Sequence, residues 1–95
     1  MKILAIQKEA PGLSARDFVP HLRGEASAGW ALYKEGVIRE MYFRGDKPEV
    51  ILILECENIE EAESKLATLP LVQKELISFD LIELKPYHGY ERLFR

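Results

Sequence analysis

Residues 2–8 read as a strand whose apolar run falls alternately on two faces, with Ile3 and Ala5 on one and Leu4 and Ile6 on the other. Pro11-Gly12 breaks that pattern. Ser14 then stands as an N-cap for a helix predicted from Ala15 to about Glu35, and Asp17 in its first turn favours the helix dipole. Phe18, Leu22, Ala26, Gly29 and Tyr33 recur at helical spacing and mark the expected buried stripe. Pro20 and Gly24 fall inside this span, so the first turn is expected to be a separate short helix or the helix to kink. Gly36, which has no Cβ, suits the left-handed position after a helix end.

The second half repeats the scheme. Residues 37–44 alternate as a strand, Gly45-Asp46-Lys47-Pro48 form a turn, and residues 49–56 form the partner strand of a hairpin. Asn58 caps a helix with Ile59, Ala62, Leu66 and Leu69 on one face, and Pro70 ends or kinks it. One more turn is expected within residues 71–77, then a last strand over residues 79–84 that Pro86 closes. The order β-α-β-β-α-β is the ferredoxin-like split βαβ arrangement of the α+β class: a four-stranded antiparallel sheet with two helices on one face. Right-handed crossovers put the first and third strands in its centre.

The third strand changes the picture. Val50, Leu52 and Leu54 lie on one side and Ile51 and Ile53 on the other, so both of its faces are apolar. A sheet with helices on one face and water on the other alternates more cleanly. The simplest cover for the second face is the same sheet of another subunit, which gives a dimeric α/β barrel.

Length and charge narrow the class. The 95 residues form one expected domain, with residues 86–95 as a tail, and so short a chain gains from self-association. Sixteen Asp and Glu against 13 Lys and Arg argue against nucleic acid as the main partner. The single cysteine, Cys56, excludes an intrachain disulfide framework and is expected to be a small buried hydrophobe. No apolar run approaches the ~18 residues of a membrane span, and no targeting signal is recognisable, so a cytoplasmic location without membrane contact is the expectation. His21 and His88 have no supporting ligand cluster, so no metal is expected; without a phosphate loop or dinucleotide fingerprint, no cofactor is expected either.

Residues 22–84 resemble the muconolactone isomerase family. The resemblance is carried by Glu25, by Tyr33-Lys34-Glu35-Gly36-Val37-Ile38-Arg39 at the helix-to-strand junction, and by Leu66-Ala67-Thr68-Leu69-Pro70-Leu71. Residues 10–20 and the tail lie outside it. It implies the dimeric ferredoxin-like barrel, assembled further into rings. It also implies a cofactor-independent proton shift on a small unsaturated lactone bearing a carboxylate.

Several side chains suit such chemistry. Glu25 follows His21 by four residues, so the two are expected on one helix flank, and a part-buried Glu or a His serves as acid or base. As a surface pair they would contribute only a few tenths of a kcal/mol. Arg39 is read on a strand face with Val37, Met41 and Phe43, where a guanidinium needs an anionic partner: a ligand carboxylate, or Glu25 itself. Tyr42, on the opposite face with Glu40, is a hydroxyl donor for a carbonyl or a packing aromatic. Trp30 and Tyr33 wall a flat pocket or fill the core. His88 sits in a tail whose Tyr87, Tyr90, Leu93 and Phe94 are expected against a partner subunit or a pocket mouth.

These observations lead to a homo-oligomeric barrel acting on a small molecule as a cofactor-free isomerase-like enzyme. Glu25 and His21 are its expected catalytic residues. Arg39, Tyr42, Trp30, Tyr33 and His88 are its expected substrate-binding residues. The other readings are a YCII-like or monooxygenase-like relative, and a barrel that binds a ligand or assembles without catalysis.

Overall fold

The alternation of the first strand becomes, in β1 (Lys2–Glu9), a division between two environments: Ile3, Ala5 and Gln7 are buried, while Leu4 and Ile6 on the other face are half-buried. The computed structural model describes residues 1–95. β1 lies between β3 (Val50–Glu55) and β4 (Ile77–Leu84), and β2 (Ile38–Phe43) pairs with the outer edge of β3. All three pairings are antiparallel, in the order β2-β3-β1-β4. The ferredoxin-like arrangement expected from the pattern is the one observed, with the first and third strands central. The last strand begins two residues earlier than its pattern suggested, at Ile77, which is buried.

The helices cover one sheet face. Leu32 from α2 (Leu22–Lys34), Ala62 and Leu66 from α3 (Ile59–Leu66), and Leu69 form one core with Ile3, Ala5, Leu52 and Leu54. Asn58 caps α3 by accepting a 2.7 Å hydrogen bond from the Glu61 N–H, as its sequence position predicts. Pro70 starts a further short helix, α4 (Pro70–Gln73), instead of kinking α3, because its missing N–H costs nothing at a first helical position. Cys56 is buried, as expected of it. No helix is long and apolar enough to cross a membrane.

The first long helix is broken at Pro20, as expected, whereas Gly24 lies inside an uninterrupted helix. α1 (Ala15–Phe18) is a single turn, the 3₁₀ turn Val19–His21 follows, and α2 starts at Leu22. The expected buried stripe is corrected more substantially. Of its five members only Gly29 is buried; Leu22 is 51% exposed and Tyr33 50% exposed. Their helical period is real, but they border an open cavity and do not press on the sheet.

Gly36 ends α2 with φ of +84°. A Cβ there would touch only the Arg39 guanidinium, at 3.8 Å, so the position is roomy and its demand for glycine is conformational. Gly36→Ala is expected to lower unfolding free energy by about 1–2 kcal/mol in chemical denaturation, and an unchanged midpoint would contradict this.

A candidate active site between the second helix and the sheet

A cavity of about 850 Å³ opens between α2 and the sheet, lined along the helix from Leu22 to Tyr33. This lies within the range of small-molecule sites. Phe18, Leu22, Ala26 and Trp30 form the helical wall, and Leu52, Met41, Phe43 and Phe79 belong to the sheet wall. Most lining residues are apolar, so each polar group among them carries weight.

Glu25 is one of these groups. Gly24 brings α2 close to α4, where an added Cβ would sit 3.5 Å from Pro70 Cγ, and the next side chain reaches across. The Leu71 N–H, an unpaired donor in the first turn of α4, donates to Glu25 Oε1 at 2.9 Å. That tether fixes the carboxyl at the cavity wall. Burial holds the Glu25 carboxyl above the ordinary glutamate value, and the Leu71 N–H partly offsets this.

The raised value has a consequence for stability. The native state keeps the Glu25 proton to higher pH than the unfolded chain does. Stability associated with this group is therefore greatest in acid and falls as pH rises from the ordinary glutamate value through the native one. Glu25→Gln removes the titration but keeps an oxygen for the Leu71 N–H. Its melting temperature relative to wild type is expected to rise across that window in scans from about pH 4 to about pH 8. A difference constant with pH would contradict the assignment.

Trp30 and Tyr33 also line the cavity, stacked with ring centroids 5.5 Å apart and planes 17° apart. Trp30 is 58% exposed, so the pair forms a rim and not a core.

Arg39 borders the same cavity by a route the alternating pattern did not predict. A β-bulge between Ile38 and Glu40 shifts the register of β2, and Arg39 is the extra residue. The face of Met41 and Phe43 is therefore shared with Ile38, opposite Leu52, Val50 and Leu54 in turn. Arg39 Nε donates to the Gly36 carbonyl at 2.6 Å, and the guanidinium forms no ion pair with Glu25.

The other expected site residues lie elsewhere. Tyr42 is on the sheet face away from the helices, where its hydroxyl donates to Glu40 Oε1 at 2.7 Å. His21 ends the 3₁₀ turn, outside regular α-helical spacing with Glu25, and does not line the cavity. His88 is exposed in the tail, before the 3₁₀ stretch Gly89–Phe94. No group of three or more His, Cys, Asp or Glu side chains is placed to hold a metal ion.

Three polar lining residues, Gln7, Glu9 and Glu40, were not among the candidates expected from the sequence, and Gln7 is the buried one. Gln7, 7% exposed, continues the buried face of Ile3 and Ala5, and its Oε1 accepts from the Val50 N–H at 3.0 Å. Its parity in the strand was the available signal.

The chain matches no protein-family profile and no curated protein. Among solved structures it is similar to the 5-chloro-2-hydroxyhydroquinone dehydrochlorinase TftG of Burkholderia phenoliruptrix AC1100, in complex with 2,5-dihydroxybenzoquinone. The superposition has a TM-score of 0.73 at 18% identity and covers 94% of this chain and 98% of that one. At that identity the likeness establishes a shared ferredoxin-like fold over nearly the whole chain.

Proposed function

We propose that this protein is a muconolactone isomerase-like enzyme that moves a proton on a small organic acid or lactone without a cofactor, with Glu25 as the group that carries the proton. One observation supports this above the others: a half-buried carboxyl, tethered through one oxygen to the Leu71 N–H and raised in pKa by burial, at the wall of a largely apolar cavity of about 850 Å³. A general base works best with a pKa near the working pH, and burial moves a glutamate in that direction. Arg39 at the same cavity is the anchor for a substrate carboxylate, and the Trp30–Tyr33 pair covers a flat ring. The oxygenated six-membered ring bound by the similar dehydrochlorinase is a ligand of this general size.

The working unit in this reading is a homodimer closed through the free sheet face. Leu4, Ile6, Ile51 and Ile53 are only half-buried there, and Ile82 is 47% exposed. In the tail, Tyr87, Tyr90, Leu93 and Phe94 are 69–85% exposed, too apolar to be solvated by design.

The test is turnover of an unsaturated γ-lactone acid, followed by ultraviolet absorbance without added cofactor or metal, in wild type and Glu25→Gln. Loss of turnover in the variant supports the reading, and equal turnover contradicts it. A second reading, a barrel that binds its ligand without turning it over, is favoured by the position of His21 outside the cavity, which leaves Glu25 without the imidazole expected to share the proton.

A further inference from the structure

Gln7 is buried to more than nine-tenths, which is a costly place for a primary amide unless both ends are used. One end is accounted for. The Val50 N–H can only donate, so the Gln7 atom that meets it at 3.0 Å must be the carbonyl oxygen, and the amide cannot be flipped. The NH₂ therefore points away from Val50. It makes no hydrogen bond within the chain, yet no fully buried side-chain nitrogen is left without a partner, so it keeps contact with open space. Gln7 is among the residues that line the cavity shared by Glu25, the open space its side chain borders.

We infer that the Gln7 amide NH₂ is the specificity-determining donor of this cavity and selects ring compounds that carry a carbonyl oxygen. The inference rests on the cavity being the ligand site. It adds to the proposed proton shift the group that holds the substrate's carbonyl, the atom on which negative charge develops when a neighbouring carbon loses a proton. Its oxygen clamped by Val50, the amide is oriented before the ligand arrives, and little ordering cost remains at binding.

The experiment measures binding and requires no turnover. Indan-1-one and indane have the same shape and differ in one carbonyl oxygen, and calorimetry gives the affinity of each for the full chain. Wild type is expected to prefer indan-1-one by about tenfold, the ordinary effect of one neutral hydrogen bond in a dry site. Gln7→Met keeps the length of the side chain and removes the donor, so the preference is expected to fall to about one. It also leaves the Val50 N–H unpaired, which lowers stability for a reason unrelated to the ligand. Gln7→Glu, measured well above the carboxylate pKa, keeps an acceptor for Val50 while removing the donor, and its preference is expected to vanish equally. Equal wild-type affinity for the two compounds, or a preference that survives in the variants, would overturn the role of Gln7 and leave the cavity as ligand site. Failure of both compounds to bind the wild type would overturn the cavity reading and this inference with it.

Discussion

Ile53→Asp is expected to halve the mass of the protein in solution while leaving it folded, whereas Leu54→Asp, one position along the same strand, is expected to prevent folding. Leu54 has no exposed surface and sits among Ile3, Ile38, Ala62 and Leu66 in the core under the helices. An uncompensated carboxylate there costs several kcal/mol in addition to the lost packing, against a total stability of roughly 5–15 kcal/mol for a domain of this size. Ile53 faces the opposite way, pairs with Leu4 and Glu40, and is half-buried without any partner chain. A charge at that position is solvated in a monomer and desolvated in a face-to-face dimer.

Strand geometry gives the free sheet face a footprint of roughly 20 by 20 Å, or ~400 Å² per chain. A stable interface buries about 800 Å² per partner, so the exposed aromatic tail supplies the remainder in this account. Light scattering at micromolar concentration reads the outcome. A wild-type protein that is already monomeric, or an Ile53→Asp variant of unchanged mass, would contradict the sheet-to-sheet dimer.

The strands were legible as alternating or short continuous apolar runs bounded by turn residues, and Asn58 and Gly36 announced the helix boundaries they form. Three features were not legible, each for a physical reason. The bulge at Arg39 depends on how β2 registers against β3, and one inserted residue changes the face of everything before it. Leu22, Ala26 and Tyr33 have the spacing of a packed stripe, but periodicity gives direction only and says nothing of what fills the space they face. The Leu71-to-Glu25 bond joins residues 46 apart in the chain, a contact that no local pattern encodes. Glu25 was singled out through its spacing from His21 and through a family resemblance, and it lines the cavity. His21 was drawn in by its four-residue spacing to Glu25 and Tyr42 by its hydroxyl, and the structure places both away from the cavity.

Glu25→Gln is expected to reduce turnover by about 10²–10⁴-fold while the protein remains folded. The amide has the same shape and still accepts from the Leu71 N–H, so the loss isolates proton transfer from positioning. In wild type, kcat/KM is expected to rise with pH through the raised pKa of Glu25, displaced upward from an ordinary carboxylate, and this limb is absent from the residual rate of the variant. Arg39→Lys keeps the charge but not the planar fork, so it is expected to act mainly on KM. An Arg39→Lys variant with a lowered kcat and an unchanged KM would show that the guanidinium does something other than hold a carboxylate.

The central claim is that Glu25 transfers a proton to and from a molecule in this cavity. Its most direct measurement is proton NMR of an unsaturated γ-lactone acid incubated with the enzyme in D₂O. The account predicts deuterium at the carbon beside the lactone carbonyl with wild type, and loss of that exchange by at least about a hundredfold with Glu25→Gln. Equal exchange by the two proteins, or none above the buffer rate with wild type, would contradict it.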